Sequence, residues 1–189
     1  MPLLEAFAVL SSIAYVILAA RGSIWCWPSA LVSVIAYTVI CLQANLLAES
    51  LLQVFYGIMA VYGWVNWIKG KKPDESIQIQ TWPIKYHLIN IGASTLGWVG
   101  LALILESNTN AALPWLDAFT TVFSITATFL VTRKVLSNWI YWIIIDAAGI
   151  YLYASRGLYL TAVLFIAFTI IAAYGYFKWL KIHQLQDEY

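Results

Sequence analysis

Seven apolar runs, each close to the length a helix needs to cross a bilayer, leave this 189-residue chain few ways to fold. They lie near 3–20, 23–42, 46–68, 86–105, 115–132, 138–155 and 157–180. In hydrocarbon every backbone N–H and C=O must be satisfied internally, so a span is a helix or part of a closed barrel. Continuous alternation of a barrel kind is absent, and the runs are read as helices. With 62% hydrophobic and 10% charged residues the chain is an integral membrane protein, since a soluble domain carries about 25% charged residues. The N-terminal run is apolar from Leu3, carries Glu5 and lacks a basic leader, so it is expected to be a retained helix rather than a cleaved signal.

Charge gives the orientation. With the C-terminus inside, the cytoplasmic ends receive Arg21, Lys69, Lys71, Lys72, Lys85, Arg133, Lys134, Lys178 and Lys181, and the outside only Arg156. The positive-inside rule then predicts N-terminus out and C-terminus cytoplasmic. Spread between apolar runs in this way, the basic residues make no nucleic-acid patch. Cys26 and Cys41 sit in apolar runs without metal-ligand spacing and are read as small core residues. His87 and His183 lie away from the middle of the membrane, and no phosphate-binding loop is present; no hydrolytic, redox or cofactor-dependent chemistry is legible, and the chain is not read as an enzyme.

The segment 60–69 returns at 172–181: Ala60, Tyr62, Gly63, Trp67 and Lys69 match Ala172, Tyr174, Gly175, Trp179 and Lys181. Upstream, Trp27 parallels Trp142. The expected architecture is two parallel three-helix repeats joined by a linker helix: residues 1–68, then a loop and fourth helix over 69–114, then 115–189. Parallel repeats of this kind place a substrate between the halves near the midplane.

One stretch is out of keeping with a lipid-facing helix. Within 138–146, Asn138, Trp142 and Asp146 fall at i, i+4 and i+8, and Trp139 joins Trp142 and Asp146 at i, i+3 and i+7. Tryptophans also anchor helices at membrane interfaces, but an acid in mid-membrane costs several kcal/mol and marks a functional site. Indoles beside a buried carboxylate suit a flat aromatic cation. Glu49, Gln53 and Tyr56 share a face of the third helix; Glu49 lies near the outer surface, and Gln53 needs a partner, another helix or a ligand. The hydroxyl stripe Thr120, Thr121, Ser124 and Thr128, headed by Asp117, fits close helix packing, and His87 with Asn90 and Ser94 a packing role. Most tyrosines, Tyr37 among them, are assigned to the interfacial belt or core.

Asn138-Trp139…Trp142…Asp146, running on to Arg156-Gly157-Leu158-Tyr159, together with Trp25-Cys26-Trp27-Pro28, Glu49 to Tyr56 and Tyr62-Gly63-Trp64, resembles the PnuC family of bacterial inner-membrane vitamin transporters. The resemblance covers essentially the whole chain. It implies a full-length SWEET-like fold of seven helices, a homotrimer, and facilitated diffusion of nicotinamide riboside, or of thiamine in a related branch. It further implies a cytoplasmic kinase that traps the arriving vitamin by phosphorylation. The family's binding motifs fall on Asn138, Trp139, Trp142, Gln53 and Tyr56. A SWEET-type sugar carrier fits less well, for want of a Pro-Gln dipeptide; a retinal protein would need a lysine in mid-helix seven; a non-transporting scaffold would leave Asp146 and the tryptophans dispensable.

Overall fold

The computed structural model describes residues 2–43, 47–69, 77–108, 113–155 and 157–187. Seven helices occupy them: α1 Pro2–Ala20, α2 Cys26–Gln43, α3 Leu47–Lys69, α4 Ile84–Asn108, α5 Pro114–Thr132, α6 Asn138–Ser155 and α7 Tyr159–Asp187. Each matches an expected span to within a few residues at its start. Among the described residues α1, α2, α4, α5 and α7 are long and apolar enough to cross a membrane. Large apolar side chains such as Leu10, Ile58, Leu96, Ile170 and Phe177 stay exposed on the outside, as a lipid solvent allows and water does not. This is a multi-pass membrane protein.

Six helices close a ring. In order around it stand α1, α2, α3, α5, α6 and α7, and α7 returns to pack on α1. The linker α4 lies outside, against α5, where Ser94 Oγ and Thr126 Oγ1 are 2.7 Å apart. His87 reaches from α4 to the start of α6, with Tyr141 Oη and Ser137 Oγ each 3.2 Å from its ring nitrogens. This is the packing role expected of it.

The ring is locked at the end that carries Arg21, Lys69, Arg133 and Lys181. A helix leaves its last carbonyls without intrahelical donors, and in an apolar setting these must be met. α1 and α5 meet them in the same way. Gly22 (φ 69°) and Lys134 (φ 58°) turn left-handed, and bonds from Gly22 N to Ala19 O (2.9 Å) and Ser23 N to Leu18 O (2.9 Å) close α1. Bonds from Lys134 N to Val131 O (2.9 Å) and Val135 N to Leu130 O (3.0 Å) close α5. The carbonyls of Ala19 and Val131 each take one donor more, in both cases from the neighbouring helix in the ring. Trp179 Nε1 of α7 donates to Ala19 O at 3.0 Å, and Trp67 Nε1 of α3 donates to Val131 O at 3.2 Å.

The indoles that donate are themselves edge-packed. Trp27 stands on Trp67 with centroids 5.3 Å apart and planes at 89°, and Trp139 on Trp179 with the same two values. Each inner indole lies on a glycine: a Cβ at Gly63 would come within 2.3 Å of Trp27, and one at Gly175 within 2.8 Å of Trp139. All these partners are 112 positions apart in the chain, as Trp27 is from Trp139. The residue whose contacts match those of Trp27 is therefore Trp139, not Trp142. Similarity of helix starts suggested Trp142, but the glycine one helix further on selects the indole.

The loop before α4 tucks its apolar residues under this end. Ile77 and Ile79 are buried, Gln186 Nε2 donates to Ile77 O at 2.8 Å, and Gln80 pairs with the 134–136 turn. Lys71 and Lys72 lie outside the described residues.

Two substitutions test the lock by thermal unfolding in detergent. Trp179→Phe keeps the ring but loses the donor, and should cost about 1 kcal/mol. Gly175→Ala forces Trp139 to move and should cost more, about 1–3 kcal/mol. An unchanged midpoint in both variants would refute it.

Candidate substrate-binding site

Inside the ring, on the far side of the four tryptophans, is a cavity of about 320 Å³. That is the size of a small-ligand site at the lower end of the usual range, about 300–1,000 Å³. Its floor is made by Trp27, Trp139 and the small residues Ala60 and Ala172. Ala60 and Ala172 also match at 112 positions, and their shortness leaves the space open above the indoles.

α6 supplies the most distinctive wall. Trp139, Trp142 and Asp146 all line the cavity, at the i, i+3, i+7 spacing read from the sequence. Asp146 is 4% exposed, and of the described residues that line the cavity it alone is charged. No described side chain pairs with its carboxylate. Trp142 is only partly buried and has a face free towards the cavity, whereas Trp139 is 2% exposed and engaged with Trp179 and Gly175.

Asn138 is not among the lining residues. It is wholly buried at the first position of α6, with Nδ2 donating to Val135 O at 2.7 Å and Oδ1 without a protein partner. The eight residues from Asn138 to Asp146 overshoot two turns by about 80°, which rotates Asn138 away from the cavity while Trp139 stays closer to the acid.

From α3, Gln53 and Tyr56 both reach the cavity, and the Tyr56 hydroxyl pairs with Ser124 of α5. The side chain of Glu49 lies outside the described residues. Ser124 and Thr128, read as packing hydroxyls, line the cavity as well, although Thr128 Oγ1 is spent on Ser124 O at 2.7 Å. Asp117 is not in the lining.

The remaining members are not singled out by residue type or spacing. Tyr15, Ser33 and Tyr37 come from α1 and α2, and Phe165 and Phe168 from α7. Tyr37 was assigned to the belt or core; its hydroxyl pairs with Ser12, also in the lining. One available signal was the internal match. Extended upstream by the same 112 positions, it sets Phe165 against Gln53 and Phe168 against Tyr56.

α6, which bears Trp142 and Asp146, lies outside the set of helices apolar enough to span by composition among the described residues. A polar residue that lines a cavity is tolerated in a membrane where one that faces lipid is not. What the arrangement can do is hold a small planar ligand between aromatic faces, with one negative charge and several hydroxyl and amide groups around it.

Residues 2–181 match the model of the nicotinamide mononucleotide transporter family. The chain belongs to this family. Members of it are membrane transporters, not enzymes. Among its relatives, the nicotinamide riboside transporter PnuC of Escherichia coli (strain K12) is 28% identical over 176 residues, covering 80% of this chain and 74% of that protein. PnuC of Neisseria mucosa is 26% identical, covering 95% and 72%. The riboflavin/roseoflavin transporter RibM of Streptomyces davaonensis is also 26% identical, covering 84% and 76%. In fold the chain is similar to a crystal structure of the vitamin B3 transporter PnuC, with a TM-score of 0.79 over 96% of this chain and 82% of that one, at 24% identity.

Because Asp146 makes no described bond to the protein, its carboxylate contributes little to holding the helices together. Asp146→Asn is expected to unfold at or above the temperature of the parent without ligand. A midpoint lowered by several degrees would reveal a structural bond to the acid.

Proposed function

We propose that the protein is a bacterial inner-membrane uptake transporter for a small, flat, cationic vitamin precursor, nicotinamide riboside first and thiamine second. The observation that carries this reading is Asp146, whose carboxylate has no partner among the described residues and lines a cavity walled by aromatic rings. Burying a charge without a partner is costly, and a cationic ring removes the cost while stacking on Trp142. Nicotinamide riboside has a pyridinium ring and thiamine a thiazolium ring, so both fit the acid. The names of the PnuC relatives put nicotinamide riboside ahead. A neutral ring system such as riboflavin would leave Asp146 unanswered, which ranks the substrate named for RibM lower.

In this reading Asn138, Trp139, Trp142, Asp146, Gln53, Tyr56 and Glu49 form the substrate site. Trp142 stacks on the ring, Asp146 offsets its charge, and Gln53 and Tyr56 bond to the hydroxylated part. Asn138, with its unpartnered Oδ1, acts from the edge of the site, and Glu49 at the outer entrance. Stacking a cation on indole contributes about 0.5–2 kcal/mol, so micromolar binding (about −8 kcal/mol) draws on all of these contacts.

Two parallel three-helix repeats, SWEET-like, with α4 as linker, account for the transport step. The matching helix closures, indole bonds and paired glycines 112 positions apart support that symmetry. Facilitated diffusion needs only two access states of similar energy that both admit the vitamin, biased by its gradient. Phosphorylation by a cytoplasmic kinase would then trap the vitamin. The basic end, with Arg21, Lys69, Arg133, Lys178 and Lys181, is cytoplasmic by the positive-inside rule, leaving the N-terminus out; the working assembly is a homotrimer.

The purified protein in liposomes, without ATP, ion gradient or kinase, should equilibrate nicotinamide riboside across the membrane; no uptake of it or of thiamine would end the carrier reading. Trp142→Ala should lose binding yet remain folded. Asp146→Asn should weaken nicotinamide riboside more than its neutral dihydropyridine form, and equal losses would assign the acid a structural role.

A further inference from the structure

The cavity is nearly symmetrical at its floor and markedly unsymmetrical above it. Trp27 and Trp139, Ala60 and Ala172, and Ser12 and Ser124 are matched pairs 112 positions apart, each pair facing the cavity. Above them the pairs differ in chemistry. Where α6 presents Trp142 and Asp146, α2 presents Ala30 and Val34; where α3 presents Gln53 and Tyr56, α7 presents Phe165 and Phe168.

These differences do not scatter. In the helix ring α6 and α7 are neighbours, and they face α2 and α3 across the cavity, with α1 and α5 between. One wall therefore holds the acid, the free indole and two phenylalanines. The other holds an amide and phenol hydroxyls, since Tyr37 of α2 joins Gln53 and Tyr56 there.

A glycine builds the first wall. A Cβ at Gly149, one turn beyond Asp146, would lie 2.4 Å from the Phe165 ring. With no side chain there, Phe165 lies down on α6 beside the acid, and Phe168 follows with its centroid 6.0 Å away and its plane at 70°. The position of α2 that corresponds to Gly149 is Tyr37, so α2 carries a phenol where α6 carries no side chain and is covered by the Phe165 ring.

Resting on the transport reading above, we infer that this asymmetry is the specificity device: Phe165 and Phe168 complete a ring pocket with Trp142 and Asp146, Tyr37 completes a hydroxyl pocket with Gln53 and Tyr56, and a ring cation bearing a sugar enters in one orientation only. The ligand class follows. It is a planar heteroaromatic cation joined to a hydroxylated group. A bare aromatic cation fills half the site, and a free sugar meets nothing that favours it over water at the acid–aromatic wall.

The test compares nicotinamide riboside with 1-methylnicotinamide, the same ring cation with a methyl group in place of the sugar. Both are titrated into the purified full-length protein, the weaker by displacement, and the readout is the two affinities, each taken per folded binding site, together with their ratio within each variant. Phe165→Leu and Phe168→Leu should weaken both ligands by a similar factor, about two- to tenfold for one aromatic contact. Tyr37→Phe and Gln53→Leu should weaken nicotinamide riboside alone and leave 1-methylnicotinamide within twofold of the parent. If the Tyr37 and Gln53 variants lose both ligands equally, or the phenylalanine variants lose neither, the two-sided pocket is refuted while the transport reading stands. If the parent protein binds neither ligand, that reading falls and this inference with it.

Discussion

Two indole rings lying flat against two glycines hold this bundle together. Trp27 on Gly63 and Trp139 on Gly175 bring α2 against α3 and α6 against α7 more closely than any larger residue would permit. In lipid, where apolar surface gains nothing by leaving water, such close contact is the main source of helix association. The same indoles seat Trp67 and Trp179, whose N–H groups reach terminal carbonyls of the neighbouring α5 and α1. Packing, helix termination and closure of the ring thus share one set of side chains.

The cavity is a consequence of this closure. Four large rings at one end, with alanines above them at 60 and 172, leave a space that the aliphatic residues of six helices do not fill. Polar groups then collect where they are tolerated, away from lipid and around that space. Asp146 is the extreme case, because no described group answers its charge. On the proposed reading, an unanswered charge in a site that must empty and fill selects a cation, since a permanent protein partner would compete with the ligand.

The near-symmetry of the bundle and the asymmetry of its cavity have different origins. The locked end repeats because the same two problems, two open helix ends and two glycine grooves, recur in each half. On the proposed reading the cavity walls diverge because the substrate is itself lopsided, charged and flat at one end and hydroxylated at the other. Gly149 and Tyr37 occupy corresponding positions and do opposite things, one clearing a place for Phe165 and the other presenting a hydroxyl.

The sequence by itself determined the seven spans, because bilayer thickness imposes a length that apolar runs reveal directly, and it exposed Trp142 and Asp146, because an acid inside such a run has no lipid-facing explanation. Gln53 and Tyr56 were legible for a similar reason. Tertiary structure alone decided which of the many aromatic residues face inward: Tyr15, Tyr37, Phe165 and Phe168 have the same composition as belt and lipid-facing residues, and only the rotation of each helix about its axis separates them. It likewise turned Asn138 out of the cavity and matched Trp27 to Trp139. Helix rotation is set by contacts between residues distant in the chain, here indole on glycine, and a run of apolar letters carries no record of those contacts.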